Sequence, residues 1–428
     1  MSALGIFQYI FKLLIIRLHV FSVLKSRDYL LFWIGGLFSN LGIWAQIAGR
    51  LWLMQILTDS ALMLGFLTLS SLGPVVIFSM WGGVVADRVN RLNLMVVTRF
   101  LFAIQAFLTG ALITFNIIQP WHLIAISIFT GFLLSIDIPS RQAIIPNLVT
   151  RNNVMNAVVL YSLLHSGAAA VGPAFLKPLV ANFGLDGLFY FVGITYVLTF
   201  IMLMMISSTP HITKQSTEKF LTGFTQGLKY IGNHKSIMYL LIVGIVGGVF
   251  GSSFGTLLPV FADKILSGDF QTYDNLLFSI GIGGAIGTLS VAIFGKVKNG
   301  ISIHIITCIV FCTALIIFSN LTWLPASMVF LSLVGAASSA FGTINHSLLQ
   351  VLVPDNFRGR VMSIQQLSWG SSAIGGLILG ALAQSVNAPF ALSSSAIFTL
   401  ILTLWLIVHS RNLLLNSINS VDRGKSES

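Results

Sequence analysis

Apolar stretches of about 18 or more residues recur along this chain, and they constrain its fold more than any other feature of the sequence. Each is long enough to cross a hydrocarbon layer of ~30 Å as a helix of ~20 residues. Only 8% of the 428 residues are charged, whereas soluble globular proteins carry about 25%. Because a helix satisfies its own backbone polar groups, which lipid cannot do, the sequence predicts an all-α polytopic membrane protein.

We predict twelve transmembrane helices, six on each side of a long polar stretch. They lie at residues 29–57, 61–85, 92–115, 121–140, 153–181, 187–207, 236–263, 274–295, 301–319, 323–350, 361–385 and 389–410. The polar stretch is predicted to be a cytoplasmic linker, in which Thr217 caps a short amphipathic helix carrying Phe220, Phe224 and Leu228. The predicted domains are an interfacial segment, a six-helix bundle, the linker, a second six-helix bundle and a cytoplasmic tail, at 1–28, 29–207, 208–235, 236–410 and 411–428.

The net charge of +11 could by itself indicate a nucleic-acid partner. Twenty of the 23 basic residues, however, fall in loops and helix ends on one side of the predicted membrane topology. This asymmetry follows the positive-inside rule, which places both termini in the cytoplasm. The basic charge therefore indicates topology in a cell membrane, with lipid around the chain and no nucleic-acid partner. Only Arg50, Lys177 and Lys264 lie elsewhere.

The two halves of the chain resemble each other. RQAIIPNLVTRNNVMNA follows the fourth predicted helix and LLQVLVPDNFRGRVMSI follows the tenth. Gln142 and Pro146 in the first copy match Gln350 and Pro354 in the second. Parallel repeats of six helices predict two similar bundles with a binding site at their interface, near the middle of the membrane. This architecture is typical of transporters that work by alternating access.

The segment GGVVADRVNR, Gly82–Arg91, resembles the loop between the second and third helices of the major facilitator superfamily. In that family the equivalents of Asp87 and Arg88 latch the outward-facing state against an arginine at the foot of the fourth helix, for which Arg141 is the candidate. A carboxylate between arginines at a helix end suits such a contact. The resemblance implies the major facilitator fold and a cytoplasmic gate, with candidate residues Gly83, Asp87, Arg88, Arg91, Asp137, Arg141, Arg358 and Arg360.

Longer stretches resemble an exporter branch of this superfamily that includes an enterobactin exporter and macrolide efflux proteins. TDSALMLGF, DIPSRQAIIPNLV, LLPVFADKIL and VPDNFRGRVMS carry the likeness, which runs from Arg27 to about His409. The resemblance implies a monomeric transporter of the bacterial inner membrane, not an enzyme, which exports a small molecule in exchange for protons. One departure is GPAFLKPLV, where Lys177 stands among residues that are small in that branch.

Two basic residues, Arg50 and Lys177, are predicted to lie within the membrane. Arg50 is eight residues, or ~12 Å of helix, before the end of the first predicted helix, and Lys177 is ~7 Å from the end of the fifth. A central Arg or Lys costs about 2.5–3.5 kcal/mol, so it usually faces a cavity or a partner, although snorkelling to the interface is the alternative. All twelve acidic residues are predicted at span ends, loops or tails. We therefore expect an anionic cargo to supply the missing negative charge.

Further polar residues are candidates for cargo binding or proton coupling. Contacts to cargo are expected from Asn40, Gln46, Asn345, Gln350, Gln365 and Gln366, each of which could equally be an interhelical contact. Trp44 and Trp52 could stack on an aromatic cargo or mark the membrane interface. His165, His346 and Asp137 are the proton-coupling candidates, with an interior hydrogen bond as the alternative for each histidine and the gate pair with Arg141 as the alternative for Asp137.

Other motifs are interpreted as packing. Cys308 and Cys312, four residues apart, indicate neither a disulfide framework nor a metal site. GIGGAIG lacks the strand that a dinucleotide loop needs, so its small residues, Gly283 and Gly287 among them, predict close helix contact. We therefore expect no cofactor and no metal. The leading hypothesis is an exporter of an anionic siderophore; a multidrug or macrolide efflux pump and a lysophospholipid flippase are the alternatives.

Overall fold

The computed structural model describes residues 21–150, 153–207, 220–294, 300–354, 357, 360–362, 364–365 and 370–426. Within these ranges the chain is almost entirely helical and contains no β-strand. Ten of the described helices are long and apolar enough to cross a membrane, and Ser372–Ser385 is a shorter apolar helix. The prediction of an all-α polytopic membrane protein is therefore confirmed.

The first part of the chain, here the N-half, forms five helices, α1 Arg27–Thr58, α2 Ala61–Arg88, α3 Arg91–Thr114, α4 Pro120–Leu148 and α5 Val154–Met204. Helix α5 breaks at Gly184, whose φ of 71° and ψ of −177° are not helical. Glycine adopts a positive φ readily because it has no Cβ. The break divides α5 into two arms, so the N-half has six helical segments, and five of its described helices are long and apolar enough to cross a membrane.

The second part, here the C-half, forms α7 Lys235–Ile265, α8 Phe270–Phe294, α9 Gly300–Ser319, α10 Leu324–Leu352, α11 Ser372–Ser385 and α12 Ala388–Ser426. Helix α7 is irregular, with π turns at Gly247–Gly251 and Phe261–Ile265 and a 3-10 turn at Ser252–Leu257. Between the halves lies the linker helix α6, Phe220–Asn233. Thr217 and the side chains of Phe220 and Phe224 lie outside the described residues, as does most of the segment 1–28.

Equivalent helices of the two halves pack through small residues in the same way. In the N-half, Gly82 of α2 presses against the backbone carbonyl of Ser135 in α4, so that a Cβ at this glycine would clash. In the C-half, Gly283 of α8 presses against the carbonyl of Ser332 in α10, and Gly287 makes a like contact one turn further on. This confirms that GIGGAIG is a helix-packing motif.

Two predicted helix ends differ from the structure. Helix α4 continues eight residues beyond the predicted end at 140, through Pro139 and Pro146 to Leu148. Helix α12 continues beyond 410 to Ser426. Prolines are tolerated inside transmembrane helices because neighbouring groups satisfy the freed backbone carbonyls. The longer α4 moves Asp137 from the end of a span into its interior.

Candidate functional site

Arg50 lies inside the N-half, and its side chain is only 4% exposed. Its Nη1 donates a hydrogen bond to Thr130 Oγ1 of α4 at 2.8 Å and lies 3.5 Å from Ser127 Oγ. The Thr130 hydroxyl lies 2.9 Å from Gln105 Oε1 of α3. Hydroxyl groups are neutral, so these contacts hold the guanidinium in place without cancelling its charge.

Nitrogen donors around Arg50 outnumber the acceptors. Arg50 Nε and Nη2 have no protein partner among the described residues, and neither do Gln46 Nε2 and Gln105 Nε2. Gln46 lies one turn before Arg50 on α1, and its Oε1 accepts a hydrogen bond from the Tyr196 hydroxyl at 2.8 Å. We call these residues the Arg50 cluster, consisting of Gln46, Arg50, Gln105, Ser127, Thr130 and Tyr196.

A second buried charge cluster lies towards the other end of α4. Asp137 Oδ2 accepts a hydrogen bond from Arg99 Nη2 at 2.6 Å and lies 3.3 Å from Arg141 Nη2. The side chains of Arg99 and Asp137 are 1% and 0% exposed. The i,i+4 pair of Asp137 and Arg141 has the predicted geometry. Our placement of Arg99 at a cytoplasmic helix end was wrong, because Arg99 lies eight residues inside α3.

The carboxylate of Asp137 does not neutralise Arg50. Thr130, which binds Arg50, and Asp137 are seven residues apart on α4, or ~10 Å along the helix. In the described part of the chain, Arg50 has no carboxylate within ion-pair distance, and Asp137 is already shared by two arginines. The interior of the N-half therefore carries more positive than negative charge.

Lys177 differs from Arg50 in both exposure and partner. Its side chain is exposed on the first arm of α5. Asp274 of α8, which is 2% exposed, lies close enough for the two charges to interact. Our expectation that no carboxylate opposes Lys177 is therefore wrong. Asp274 lies near the start of α8, at a span end as predicted, but Lys177 lies within reach of it. The argument for an anionic cargo then depends on Arg50.

Contacts between the halves concentrate at one end of the molecule, which we call the closed end. Lys264 of α7 forms an ion pair with Asp59, and Gln55 Nε2 donates a hydrogen bond to Asp263 Oδ2 at 3.0 Å. The ring of Trp52 stacks on Tyr273 at 5.7 Å between centroids. Trp52 therefore contributes to the contact between the halves. The opposite end, which carries α6, is called the linker end.

Helix α2 packs against α7 and α11 at the closed end through small residues and hydroxyl groups. The Thr68 and Thr256 hydroxyl oxygens are 3.2 Å apart, which joins α2 to α7. Gly65 of α2 lies against the backbone of α11 at Gly376, and Gly380 lies against Ala61. The closed end is thus sealed by backbone-to-backbone contact as well as by charge.

Three predicted polar residues of the C-half meet at one exposed site. His346 Nδ1 lies 3.1 Å from Gln365 Oε1, and His346 Nε2 lies 2.9 Å from Gln350 Nε2. Both contacts are satisfied by a neutral imidazole that carries its proton on Nδ1. Asn345, the neighbouring candidate, is 3% exposed and its Oδ1 has no partner among the described residues. Asn40 donates to the Gly36 carbonyl of its own helix at 2.7 Å.

The predicted gate residues are described only in part. Arg91 Nη1 donates to the carbonyl of Ala143 in α4 at 3.0 Å, and Arg360 Nη1 donates to Gln226 Oε1 of the linker helix at 2.6 Å. A Cβ at Gly83 would have no neighbour within 4 Å. Outside the described part of the chain lie Arg358, Gln366 and the side chains of Asp87, Arg88 and His165. The gate function of these residues stays a prediction.

Sequence reasoning missed five members of the two buried clusters, Arg99, Gln105, Ser127, Thr130 and Tyr196. A signal for Arg99 and Gln105 was present, since both are polar residues more than a turn inside an apolar span. Thr130 and Tyr196 carry no comparable signal, because such residues occur in many transmembrane helices. Their contacts with α1 depend on how three helices pack.

Two helical halves, sealed against each other at one end and enclosing buried polar clusters, define a membrane transporter of the major facilitator class. A sequence model of the transmembrane secretion effectors matches residues 19–426. The chain belongs to this family, which is a family of transporters and not of enzymes.

Relatives and solved structures agree with this assignment. The staphyloferrin A transporter of Staphylococcus aureus is 24% identical over 367 residues, which cover 85% of this chain and 91% of the relative. The enterobactin exporter EntS of Escherichia coli is 26% identical over 366 residues, covering 82% of this chain and 83% of the relative.

Among solved structures, a POT family transporter in complex with 5-aminolevulinic acid has a TM-score of 0.71 at 12% identity, covering 91% of this chain and 97% of the other. An inward-facing bacterial homolog of the human lysosomal transporter Spinster has a TM-score of 0.66 at 13% identity, covering 93% and 98%. At these identities the likeness shows the fold alone.

Proposed function

We propose that the protein is a secondary-active exporter of a siderophore. The observation that carries this proposal is the similarity to two siderophore transporters along more than four-fifths of the chain. The surplus of positive charge inside the N-half supports an anionic cargo, because a negative group near Arg50 replaces solvation that the guanidinium has lost. Asn40, Gln46, Lys177, Asn345, Gln350 and Gln365 remain candidate cargo contacts.

The transport cycle in this proposal is alternating access in the bacterial inner membrane. The positive-inside rule places the linker end in the cytoplasm, together with both termini. In this proposal the closed end faces away from the cytoplasm. Opening of the closed end would release the cargo.

Export assays in a deletion strain test the cargo. We expect less siderophore in the culture medium of the deletion strain, as measured by chromatography, and recovery with the wild-type gene. Arg50→Gln should reduce recovery about tenfold or more, equivalent to about 1.4 kcal/mol of lost interaction, whereas Arg50→Lys should retain part of it. Lys235→Gln removes an exposed positive charge at the start of α7 and is the matched control. Full export by Arg50→Gln would remove the argument for an anionic cargo.

The same strain separates siderophore export from drug efflux. A multidrug or macrolide pump predicts lower resistance to macrolides or dyes, with unchanged siderophore in the medium. Proton antiport is a further part of the proposal, with His346, His165 and Asp137 as coupling candidates. An export rate that stays flat between about pH 5.5 and about pH 8 would contradict proton coupling, because histidine titrates in this range.

A further inference from the structure

The Arg50 cluster contains donors that the protein itself does not satisfy. Arg50 Nε and Nη2, Gln46 Nε2 and Gln105 Nε2 each expose less than 1 Å² and find no acceptor among the described residues. An unpaired buried charge is costly, and so is an unpaired buried amide donor. All four unpaired atoms are nitrogen donors, and none is an acceptor. They therefore indicate a partner that accepts hydrogen bonds.

These donors lie close together. Gln46 and Arg50 are one turn apart on the same face of α1. Thr130 joins Arg50 to Gln105, through contacts of 2.8 and 2.9 Å. The Tyr196 hydroxyl fixes the Gln46 side chain through Oε1, which leaves Nε2 as the free end of the amide. The side chains that carry the nitrogen donors therefore lie next to one another between α1, α3, α4 and the second arm of α5.

The charges that surround this region favour an anion over a neutral group. Tyr196 lies within electrostatic range of Arg50, Arg99, Arg141 and Asp137. Asp137 is already bound by Arg99 and Arg141, so these four charged groups sum to two positive charges. Coulomb attraction between unit charges is several-fold stronger near or inside a protein than in bulk water. A negative ligand gains from this surplus, whereas a neutral one does not.

The burial of the donors limits the size of the ligand. Each donor atom is sealed from solvent in this state, and Arg50 is 4% exposed in total. A bulky organic cargo could reach Nε and Nη2 only after the surrounding helices separate. A monoatomic anion needs no such separation, because it is about the size of the water molecules that proteins hold inside.

We propose that the Arg50 cluster is a binding site for a small inorganic anion of the halide class, such as chloride, held by Arg50, Gln46 and Gln105. The anion acts as an internal counter-ion for the N-half. This site shares Arg50 and Gln46 with the proposed function. A halide held there supplies the negative charge that was assigned above to an anionic cargo, so siderophore export would then be supported by the similarity to the two siderophore transporters alone.

Thermal unfolding of the purified full-length protein in detergent tests the site. The protein is first placed in gluconate, a bulky anion, and then titrated with chloride or bromide at constant ionic strength. We expect a saturable rise in Tm of about 2–4 °C with either halide, and no rise with gluconate. Arg50→Gln should abolish the rise, whereas Lys235→Gln, which removes an exposed charge, should keep it.

Gln46→Glu provides a second variant in case Arg50→Gln does not fold. It places a carboxylate one turn from Arg50 and keeps the acceptor for Tyr196, so that the protein supplies its own anion. We expect this variant to have lost the halide response and to be as stable in gluconate as the wild type is in chloride.

Three results would overturn the proposal. They are the absence of a halide response in the wild type, an unchanged response in Arg50→Gln or in Gln46→Glu, and a response to acetate without one to halides. The first would mean that water satisfies the donors, and the last that the site binds carboxylates. The deletion strain and its recovery with the wild-type gene test siderophore export without any change at Arg50, so failure of the halide site and failure of the proposed export can be told apart.

Discussion

At the scale of single residues, the N-half depends on one carboxylate held between two guanidinium groups. Asp137 forms ion pairs with Arg99 and Arg141. The Arg99 Cζ also lies over the ring of Phe102, 5.3 Å from its centroid. Removing one member of a buried ion pair leaves the other charge without compensation, which typically costs about 3–5 kcal/mol. The cluster is therefore more sensitive to the loss of its carboxylate than an exposed ion pair would be.

We predict that Asp137→Asn destabilises the folded protein by about 3 kcal/mol or more, because two buried arginines then share no negative partner. The measurement is thermal unfolding of the purified protein in detergent. Asp269→Asn is the control, since Asp269 is an exposed residue that caps α8 through the Thr272 amide. It should cost little, because asparagine keeps the Oδ1 acceptor and caps a helix about as well as aspartate. Equal loss in the two variants would contradict the structural role of Asp137.

At the scale of helices, neighbouring glycines of α2 have opposite surroundings. A Cβ at Gly82 would collide with the Ser135 carbonyl of α4, whereas a Cβ at Gly83 would meet nothing within 4 Å. The contact between α2 and α4 therefore requires glycine at one position only, although the two residues are adjacent in the sequence.

We predict that Gly82→Ala destabilises the protein by about 1–3 kcal/mol, because α2 and α4 must move apart. Gly83→Ala is the matched variant and should leave stability unchanged or slightly higher, since alanine favours the helix by about 1 kcal/mol relative to glycine. Both are measured by thermal unfolding in detergent. The packing argument fails if both substitutions have the same effect.

Helices and residue pairs differ in how far the sequence predicts them. Span positions followed from apolar length, because a membrane requires this length whatever the packing. The pair of Asp137 and Arg141 followed from a spacing of one helical turn. Arg99 was misplaced because a charge near the end of an apolar run was taken as lying outside the membrane, whereas packed helices bury it. For Asp274 the position was predicted, but its proximity to Lys177 depends on how α5 and α8 pack. Contacts such as Arg50 with Thr130 join residues 80 positions apart and cannot be read from local pattern.

At the scale of the whole molecule, helices of the N-half contact helices of the C-half at the closed end. Alternating access requires this end to separate once in each cycle. The hydroxyl oxygens of Thr68 and Thr256 are 3.2 Å apart, so sulfur atoms in their place would need to move by only about 1 Å to reach the 2.05 Å of a disulfide. A covalent bond at this position would hold the halves together.

We predict that Thr68→Cys combined with Thr256→Cys abolishes export under oxidising conditions, and that a reductant restores it. The variant is made with Cys308 and Cys312 replaced by alanine, since these two are the free cysteines of the chain. Transport is measured in vesicles. Cross-linking is measured by gel electrophoresis after proteolytic cleavage in the linker, because a disulfide keeps the two cleaved halves together and so changes their mobility. Each single cysteine variant should transport equally with oxidant and reductant. Normal export by a fully cross-linked protein would contradict alternating access through the closed end.

The irregular winding of α7 gives the C-half a place to bend. Its π and 3-10 turns occupy Gly247–Gly251, Ser252–Leu257 and Phe261–Ile265, next to α11, where Gly375 lies against the carbonyl of Val249. Breaks in the regular hydrogen-bond pattern are where helices kink. The stretch of α7 that carries Asp263 and Lys264 is therefore joined to the rest of the helix through turns at which a helix can kink.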